Sequence, residues 1–156
     1  MMNTQQQTSN PPLTSRQQWM QVLARAGRQL YVYEDALRDE TAYQLIRPAE
    51  VGMVMVRGRV GGSGAPFNLG EMTVSRCVVR TDTGLHGHSY VAGRDKKHAE
   101  LAALADAHLQ GDKQQHWMDH VITPLARQQE QESARREAES AATQVEFVTL
   151  VRGEDA

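Results

Sequence analysis

Residues 51–60 read VGMVMVRGRV, and residues 71–80 read EMTVSRCVVR. Both runs are rich in valine, which favours strands, and both border glycine-containing turns. A third run, 85–91 (LHGHSYV), follows the turn at 81–84 and leads towards an alanine-rich segment with helical periodicity. Short links of this kind join antiparallel strands, so the three runs predict the centre of an antiparallel sheet.

Two weaker runs extend the predicted sheet to five strands. One alternates just before Pro48, and the other alternates near the C-terminus. The run at 72–80 has apolar residues at both odd and even positions, so both of its faces are apolar, which predicts a central strand. We therefore predict an α+β fold with a single, largely antiparallel sheet flanked by helices. The five predicted strands cover 42–47, 53–60, 72–80, 85–91 and 145–151.

Helical periodicity predicts the layer that flanks the sheet. Thr14 and Gln17 stand at the spacing of a capping box, which predicts a helix that begins there and stops at Gly27. In the last predicted helix, Pro124 marks a break or a new first turn. The other predicted helices cover 29–38, 95–110 and 116–142.

Length and composition fit one domain of 156 residues. Residues 1–13 are polar and rich in glutamine, so we expect a disordered tail before a single domain at 14–156. The single Cys77 excludes an internal disulfide, and neither a secretory signal nor a bilayer-spanning run is present, so we expect a cytoplasmic protein that does not contact membranes. The net charge of −2 and the scarcity of aromatic residues give no support to nucleic-acid binding.

Positive charge is concentrated in one part of the chain. Residues 51–98 hold seven Lys and Arg against three Asp and Glu, whereas the rest of the chain holds ten against sixteen. A basic unit that leads from a sheet into a helix, within an otherwise acidic chain, indicates an anion-binding region.

The strongest candidate site is the start of that helix, where residues 93–100 read GRDKKHAE. Cations are unfavourable at a helix N-terminus, whose free N–H groups and dipole attract an anion. The sequence therefore predicts a phosphate-binding site formed by Arg94, Asp95, Lys96 and His98. The structural alternative is that Asp95 caps the helix, Lys96 pairs with the glutamate four residues later and Arg94 is solvated. For His98, a hydrogen-bonded core histidine and a general base are equally compatible with its position on the packing stripe.

A weaker phosphate-binding candidate is the glycine-rich run formed by Gly61, Gly62, Ser63 and Gly64. Its backbone could wrap a phosphate, but the lysine and the following helix of a P-loop are missing. A flexible hairpin connection is the competing interpretation.

Two other features are weaker candidates for a functional site. His86 and His88 share a strand face as a possible metal pair, but no third ligand stands at a telling spacing, and we predict no metal site. Cys77 lies in the middle of a strand without a clear histidine partner, which favours a small buried residue over a nucleophile.

Six motifs occur in order along the chain from residue 14 to the C-terminus: QWMxVLA at 18–24, IRxAExG at 46–52, GGSG at 61–64, VR at 79–80, GRDKxHAE at 93–100 and VxFxxLVRG at 145–153. Together they resemble the PhnG family, the G subunit of the bacterial carbon–phosphorus lyase core complex. The glutamine-rich tail falls outside the resemblance, and the two strand histidines are not family motif positions.

The resemblance implies a subunit that acts in organic phosphonate catabolism and is not catalytic alone. In that pathway the complex displaces adenine from ATP and forms α-D-ribose 1-methylphosphonate 5-triphosphate from methylphosphonate. The implied partners are the H, I and J subunits, with the I subunit closest, and the ATP-binding-cassette-like K and L proteins. The family assigns no catalytic residue to the G subunit. No cofactor is implied for this chain alone, and ATP is a substrate of the complex.

Two roles for the chain are compatible with the resemblance. Either it is a non-catalytic scaffold that assembles the complex, or Arg94, Lys96 and His98 join a shared active site and contact the substrate phosphates. A third alternative is an unrelated small phosphate-binding protein. A methionine-rich strand and a core poor in aromatics also predict an exposed apolar patch that a partner completes. The isolated chain should then self-associate, and it should become soluble with its I-type partner.

Overall fold

The structure, a computed structural model, describes residues 14–143. The predicted tail at 1–13 and the predicted strand at 145–151 lie outside the described residues. Within the described part, three antiparallel strands form one sheet, and helices pack against it. The predicted α+β class is confirmed.

Helix α1 spans Ser15–Arg25 and begins at the predicted capping box. The Thr14 hydroxyl accepts a hydrogen bond from the Gln17 N–H, and the Gln17 side chain accepts one from the Thr14 N–H. The helix ends just before Gly27, whose φ of 55° takes the left-handed conformation that glycine tolerates. Both predicted ends of this helix are confirmed.

The helix predicted over 29–38 is instead two consecutive elements. A 3-10 helix covers Gly27–Tyr33, and helix α2 covers Glu34–Asp39. Leu30 and Leu37 are fully buried, as the pattern predicts. Residues seven apart lie on nearly the same side of a helix, so both leucines face the core.

The three strands follow one another in the sheet in sequence order. Strand β1 is Tyr43–Arg59, β2 is Pro66–Thr81 and β3 is His86–Ala92. The central position of β2 confirms the prediction made from its two apolar parities. On β2, Ser75, Cys77 and Val79 point to the helices and are fully buried.

The separate strands predicted at 42–47 and 53–60 are one strand, so the prediction that Pro48 ends a strand is wrong. The pairing with β2 shifts between Leu45 and Arg47 and again between Arg47 and Glu50, so Pro48 sits in an irregular stretch outside the regular ladder. Within the described sheet β1 is an edge strand, where the missing N–H of a proline is tolerated.

Helix α3, Lys96–Leu109, is the centre of the core and confirms the prediction over 95–110. It packs so closely on β3 that a Cβ at Gly87 would lie 1.8 Å from the Ala103 carbonyl oxygen and 2.7 Å from the Ala107 nitrogen. Small side chains on α3 and the absence of one at Gly87 allow this approach.

Residues 114–142 are helical throughout. Helix α4, Gln114–Trp117, continues through a π-helical turn at Met118–Ile122 into helix α5, Thr123–Ala142. Pro124 lies in the first turn of α5, as predicted. A proline cannot donate to the carbonyl four residues earlier and would clash with it, which accounts for the wider turn before it. No helix among those described is long and apolar enough to cross a bilayer.

Candidate functional site

The predicted anion site lies where β3 turns into α3. Gly93, at a φ of 96°, donates its N–H to the Thr73 carbonyl and reverses the chain. Asp95 is the N-cap of α3, and its carboxylate accepts a hydrogen bond of 2.9 Å from the His98 N–H. The capping role proposed in the structural alternative is therefore present.

The Asp95 carboxylate is held from a second side. The Tyr31 hydroxyl donates to it at 2.6 Å. Burial raises the pKa of Asp95, but the hydrogen bonds from Tyr31 and the His98 N–H outweigh it, and the pKa is lowered. The carboxylate thus remains ionised, and the helix N-terminus already holds one negative charge from this chain.

Lys97 is also paired within the chain. Its ammonium group lies 2.5 Å from the Glu34 carboxylate and 4.5 Å from the centre of the Tyr31 ring. Of the three cations around this N-terminus, Lys97 is therefore neutralised by a neighbouring element and needs no external anion.

The pairing of Lys96 with Glu100 is not formed. Glu100 instead accepts a hydrogen bond of 2.6 Å from Arg38 and one of 2.9 Å from the Tyr43 hydroxyl. The Glu100 side chain is 20% exposed. This network links α2, β1 and α3. The local helical pair of the structural alternative is absent because Glu100 binds partners from other elements.

Arg94 and Lys96 are exposed. Neither forms an ion pair with any residue of the described part of the chain. Their charges are therefore the two at this turn that remain open to a ligand or a partner.

His98 points away from that exposed turn. Its side chain is 4% exposed, and its Nε2 lies 2.7 Å from the Leu23 carbonyl at the end of α1. Since a carbonyl only accepts, Nε2 carries the proton. His98 therefore links α1 to α3 through this hydrogen bond. Only its backbone N–H lies at the candidate anion site. His108 holds the Leu37 carbonyl in the same way at 2.8 Å.

The glycine-rich run forms the tip of the β1–β2 hairpin. Gly61 and Gly62 both have positive φ, and the Gly64 N–H donates to the Val60 carbonyl at 2.8 Å. The paired strands between this tip and Thr73 span six residues on β1, or about 20 Å. The structure therefore does not bring the two candidate phosphate sites together within the described chain.

His86 and His88 lie exposed on the face of β3 opposite the helices. Among the described residues, no three histidine, cysteine or carboxylate side chains are grouped closely enough to hold a metal ion. Cys77 is fully buried, and its thiol donates to the Arg47 carbonyl at 3.3 Å. Burial raises the pKa of this thiol to about 11, so it is a poor nucleophile at neutral pH.

One buried carboxylate, Asp106, is not among the site residues predicted from the sequence. Asp106 is 0% exposed and accepts hydrogen bonds from the Trp19 indole at 2.8 Å, from Arg16 at 2.7 Å and from the His88 N–H at 2.9 Å. It joins α1, β3 and α3 at one point. A lone aspartate in the apolar run LAALADAHL is the signal that indicates such partners.

The outer part of the β1–β2 hairpin is a surface that the described contacts leave unexplained. β3 ends at Ala92, which pairs with Val74, so among the described residues no third strand pairs beside the stretch from Met53–Thr73 to Arg59–Pro66. We call residues 53–60 and 66–73 the ribbon. Six of its large apolar side chains are exposed: Met53 67%, Met55 54%, Val60 68%, Phe67 42%, Leu69 66% and Met72 42%.

Comparison with known proteins agrees with these motifs. Residues 14–153 match the sequence profile of the family described as phosphonate metabolism protein PhnG. A relative from Rhizobium meliloti (strain 1021) is 41% identical over an alignment that covers 99% of this chain and 100% of the relative. That protein is named alpha-D-ribose 1-methylphosphonate 5-triphosphate synthase subunit PhnG. The chain described here therefore belongs to the PhnG family.

Proposed function

We propose that this chain is a subunit of an α-D-ribose 1-methylphosphonate 5-triphosphate synthase and is needed for the ATP-dependent step of organic phosphonate catabolism. The observation that carries the proposal is the near-full-length similarity to a protein named as that subunit. The exposed apolar ribbon supports it, because a surface of this kind is unusual on a protein that acts alone. Because the chain belongs to the PhnG family, the alternative of an unrelated phosphate-binding protein is excluded.

The proposed reaction joins a phosphonate oxygen to C1 of the ATP ribose and releases adenine. ATP is a substrate of the complex in this account and not a resident cofactor of this chain. We assign no catalytic residue here. The proposed partners are the H, I and J subunits, with the I subunit closest, and the ATP-binding-cassette-like K and L proteins.

The contacts at the α3 N-terminus favour assembly as the main role. Asp95 and His98, two of the four residues of the proposed anion site, are hydrogen-bonded to Tyr31 and Leu23, and the neighbouring Lys97 is paired with Glu34. One observation supports the second role, direct contact with the substrate. Arg94 and Lys96 stay exposed beside free N–H groups of the first helical turn, and a shared active site could use them on the triphosphate.

A growth experiment tests the proposed function. A bacterium that lacks only its G subunit should fail to grow on methylphosphonate as the sole phosphorus source, and this chain should restore growth when it is expressed with its cognate partners. Growth on inorganic phosphate is the control and should be equal in every strain. Failure of restoration by a chain that accumulates normally would overturn the proposal.

A further inference from the structure

The ribbon exposes apolar side chains on both of its faces. Cross-strand partners point to the same face, so Met53 and Met55 lie on one face, while Met72 and Phe67 lie on the other. Leu69 is the extra residue of a bulge, because Val56 pairs with Gly70 and Arg57 pairs with Asn68. Two paired strands without a supporting layer are marginally stable in water. Both faces of the ribbon therefore need cover, which a groove supplies and a flat surface does not.

We infer that the ribbon inserts into a cleft of a different polypeptide of the same complex, with apolar walls and carboxylates along its rim. The inference rests on the proposed function, since it names the chemistry of the partner that a complex subunit would meet. Apolar walls match the methionines, the leucine and the phenylalanine. The carboxylate rim matches the charges at the two ends of the ribbon.

Those charges are basic at both ends. Arg57 and Arg59 are exposed near the tip, and Arg94 and Lys96 are exposed at the turn that follows β3, beside the base. Within the ribbon Glu71 is the one acidic residue. A cleft with acidic residues along its rim, near both ends of the ribbon, would pair with both groups.

The same charges argue against a second copy of this chain as the occupant. A two-fold interface places the same patch on both subunits. With the two ribbons parallel, tip arginines would meet tip arginines. With them antiparallel, tip arginines would meet Arg94 and Lys96 at the base. Both alignments bring like charges together, which disfavours binding.

A photocrosslinking experiment identifies the occupant. The full chain, carrying a photoreactive benzoyl-phenylalanine in place of Met55, is co-expressed with the other subunits and irradiated. The result expected is a crosslink to a different subunit, at a site lined by apolar residues and bordered by Asp or Glu. A crosslink within the same chain, or to a second copy, would overturn the inference.

Substitutions measure how much the ribbon contributes to the association. Met53→Ser with Met55→Ser, and separately Arg57→Glu with Arg59→Glu, should each lower the amount of co-purified partner on the order of tenfold, as loss of central interface residues does. The matched controls lie away from the ribbon: Val32→Ser, at an apolar residue 83% exposed, and Arg135→Glu with Arg136→Glu on α5. These controls should co-purify like the wild type.

The outcomes separate the two proposals. If the wild-type chain recovers no partner, the proposed function fails. If the wild type recovers partners and the ribbon variants do so equally well, the ribbon inference alone fails. Circular dichroism of each recovered variant shows that the fold is retained, as expected for changes at exposed side chains.

Discussion

The Tyr31 hydroxyl donates a hydrogen bond of 2.6 Å to the Asp95 carboxylate, which caps the helix that follows the candidate anion site. The contact joins the 3-10 helix to the N-terminus of α3 and places a fixed negative charge beside its free N–H groups. A bound phosphate at this turn would therefore meet a carboxylate that is already in place. Any side-chain contact with an anion must rely on Arg94 and Lys96, which are exposed.

The Tyr31–Asp95 contact predicts a late tyrosine ionisation. Burial, followed by the hydrogen bond to Asp95, raises the pKa of Tyr31 to about 12 from its usual 10.0. Because the pKa is higher in the folded chain, the stabilisation is complete below pH 10 and is lost as the pH rises through about 12. The absorbance at 295 nm, compared between wild type and Tyr31→Phe, measures this ionisation. In Asp95→Ala the pKa of Tyr31 should fall, and an unchanged pKa there would contradict the assigned contact.

Arg94→Ala tests the remaining anion-site hypothesis. The side chain is exposed, so folding and assembly should stay nearly unchanged. If Arg94 contacts a substrate phosphate, loss of one charge-assisted hydrogen bond of about 1.5–3 kcal/mol should lower turnover of methylphosphonate by the complex on the order of tenfold or more. The control is Arg127→Ala on the exposed face of α5, which should have no effect. An Arg94→Ala complex with wild-type turnover would leave this subunit a scaffold.

Asp106→Ala should strongly destabilise the fold. The Trp19 indole and the His88 N–H would lose their acceptor in a buried region, at about 1–3 kcal/mol each. Urea unfolding followed by tryptophan fluorescence should show a loss on the order of 2–4 kcal/mol. The exposed Asp112→Ala is the control, with an expected change within about 0.5 kcal/mol. Similar stability of the two variants would show that Asp106 does not join the three elements as described.

Gly87→Ala should separate β3 from α3. A methyl group there would lie 1.8 Å from the Ala103 carbonyl oxygen, which is backbone and cannot move without shifting the helix. We expect little folded protein at 37 °C, measured as the soluble fraction with co-expressed partners. Gly52→Ala is the matched control, since it lies outside the ribbon and a Cβ at that position would approach only the Arg76 Cζ, at 4.0 Å. A well-folded Gly87→Ala chain would contradict the close packing.

Local signals account for the part of the fold that could be predicted from the sequence. The capping box at Thr14, the valine-rich runs and the apolar stripe of α3 are each readable within a few residues, and each is present in the structure. The continuous β1 was missed because the register shifts that accommodate Pro48 depend on the pairing with β2. The sequence of one strand alone does not show how it pairs with its neighbour.

The candidate site could be located but not resolved from the sequence. The run GRDKKHAE indicates a helix N-terminus with three cations, and in the structure a helix does begin there, at Lys96. Which of these residues are already paired depends on Tyr31, Glu34 and Leu23, which lie more than sixty residues away along the chain. Long-range partners of this kind leave no periodic pattern in the sequence. Only the three-dimensional structure therefore shows that His98 and Lys97 have partners within the chain while Arg94 and Lys96 are exposed.

The most direct test of the central claim is an omission assay with purified components. The remaining subunits are mixed with ATP and methylphosphonate, and the release of adenine is followed as this chain is added in increasing amounts. We expect no product from this chain alone, little product without it, and a rise that saturates at a fixed molar ratio to the other subunits. Full activity without the chain, or product from the chain alone, would contradict its proposed role as a required subunit.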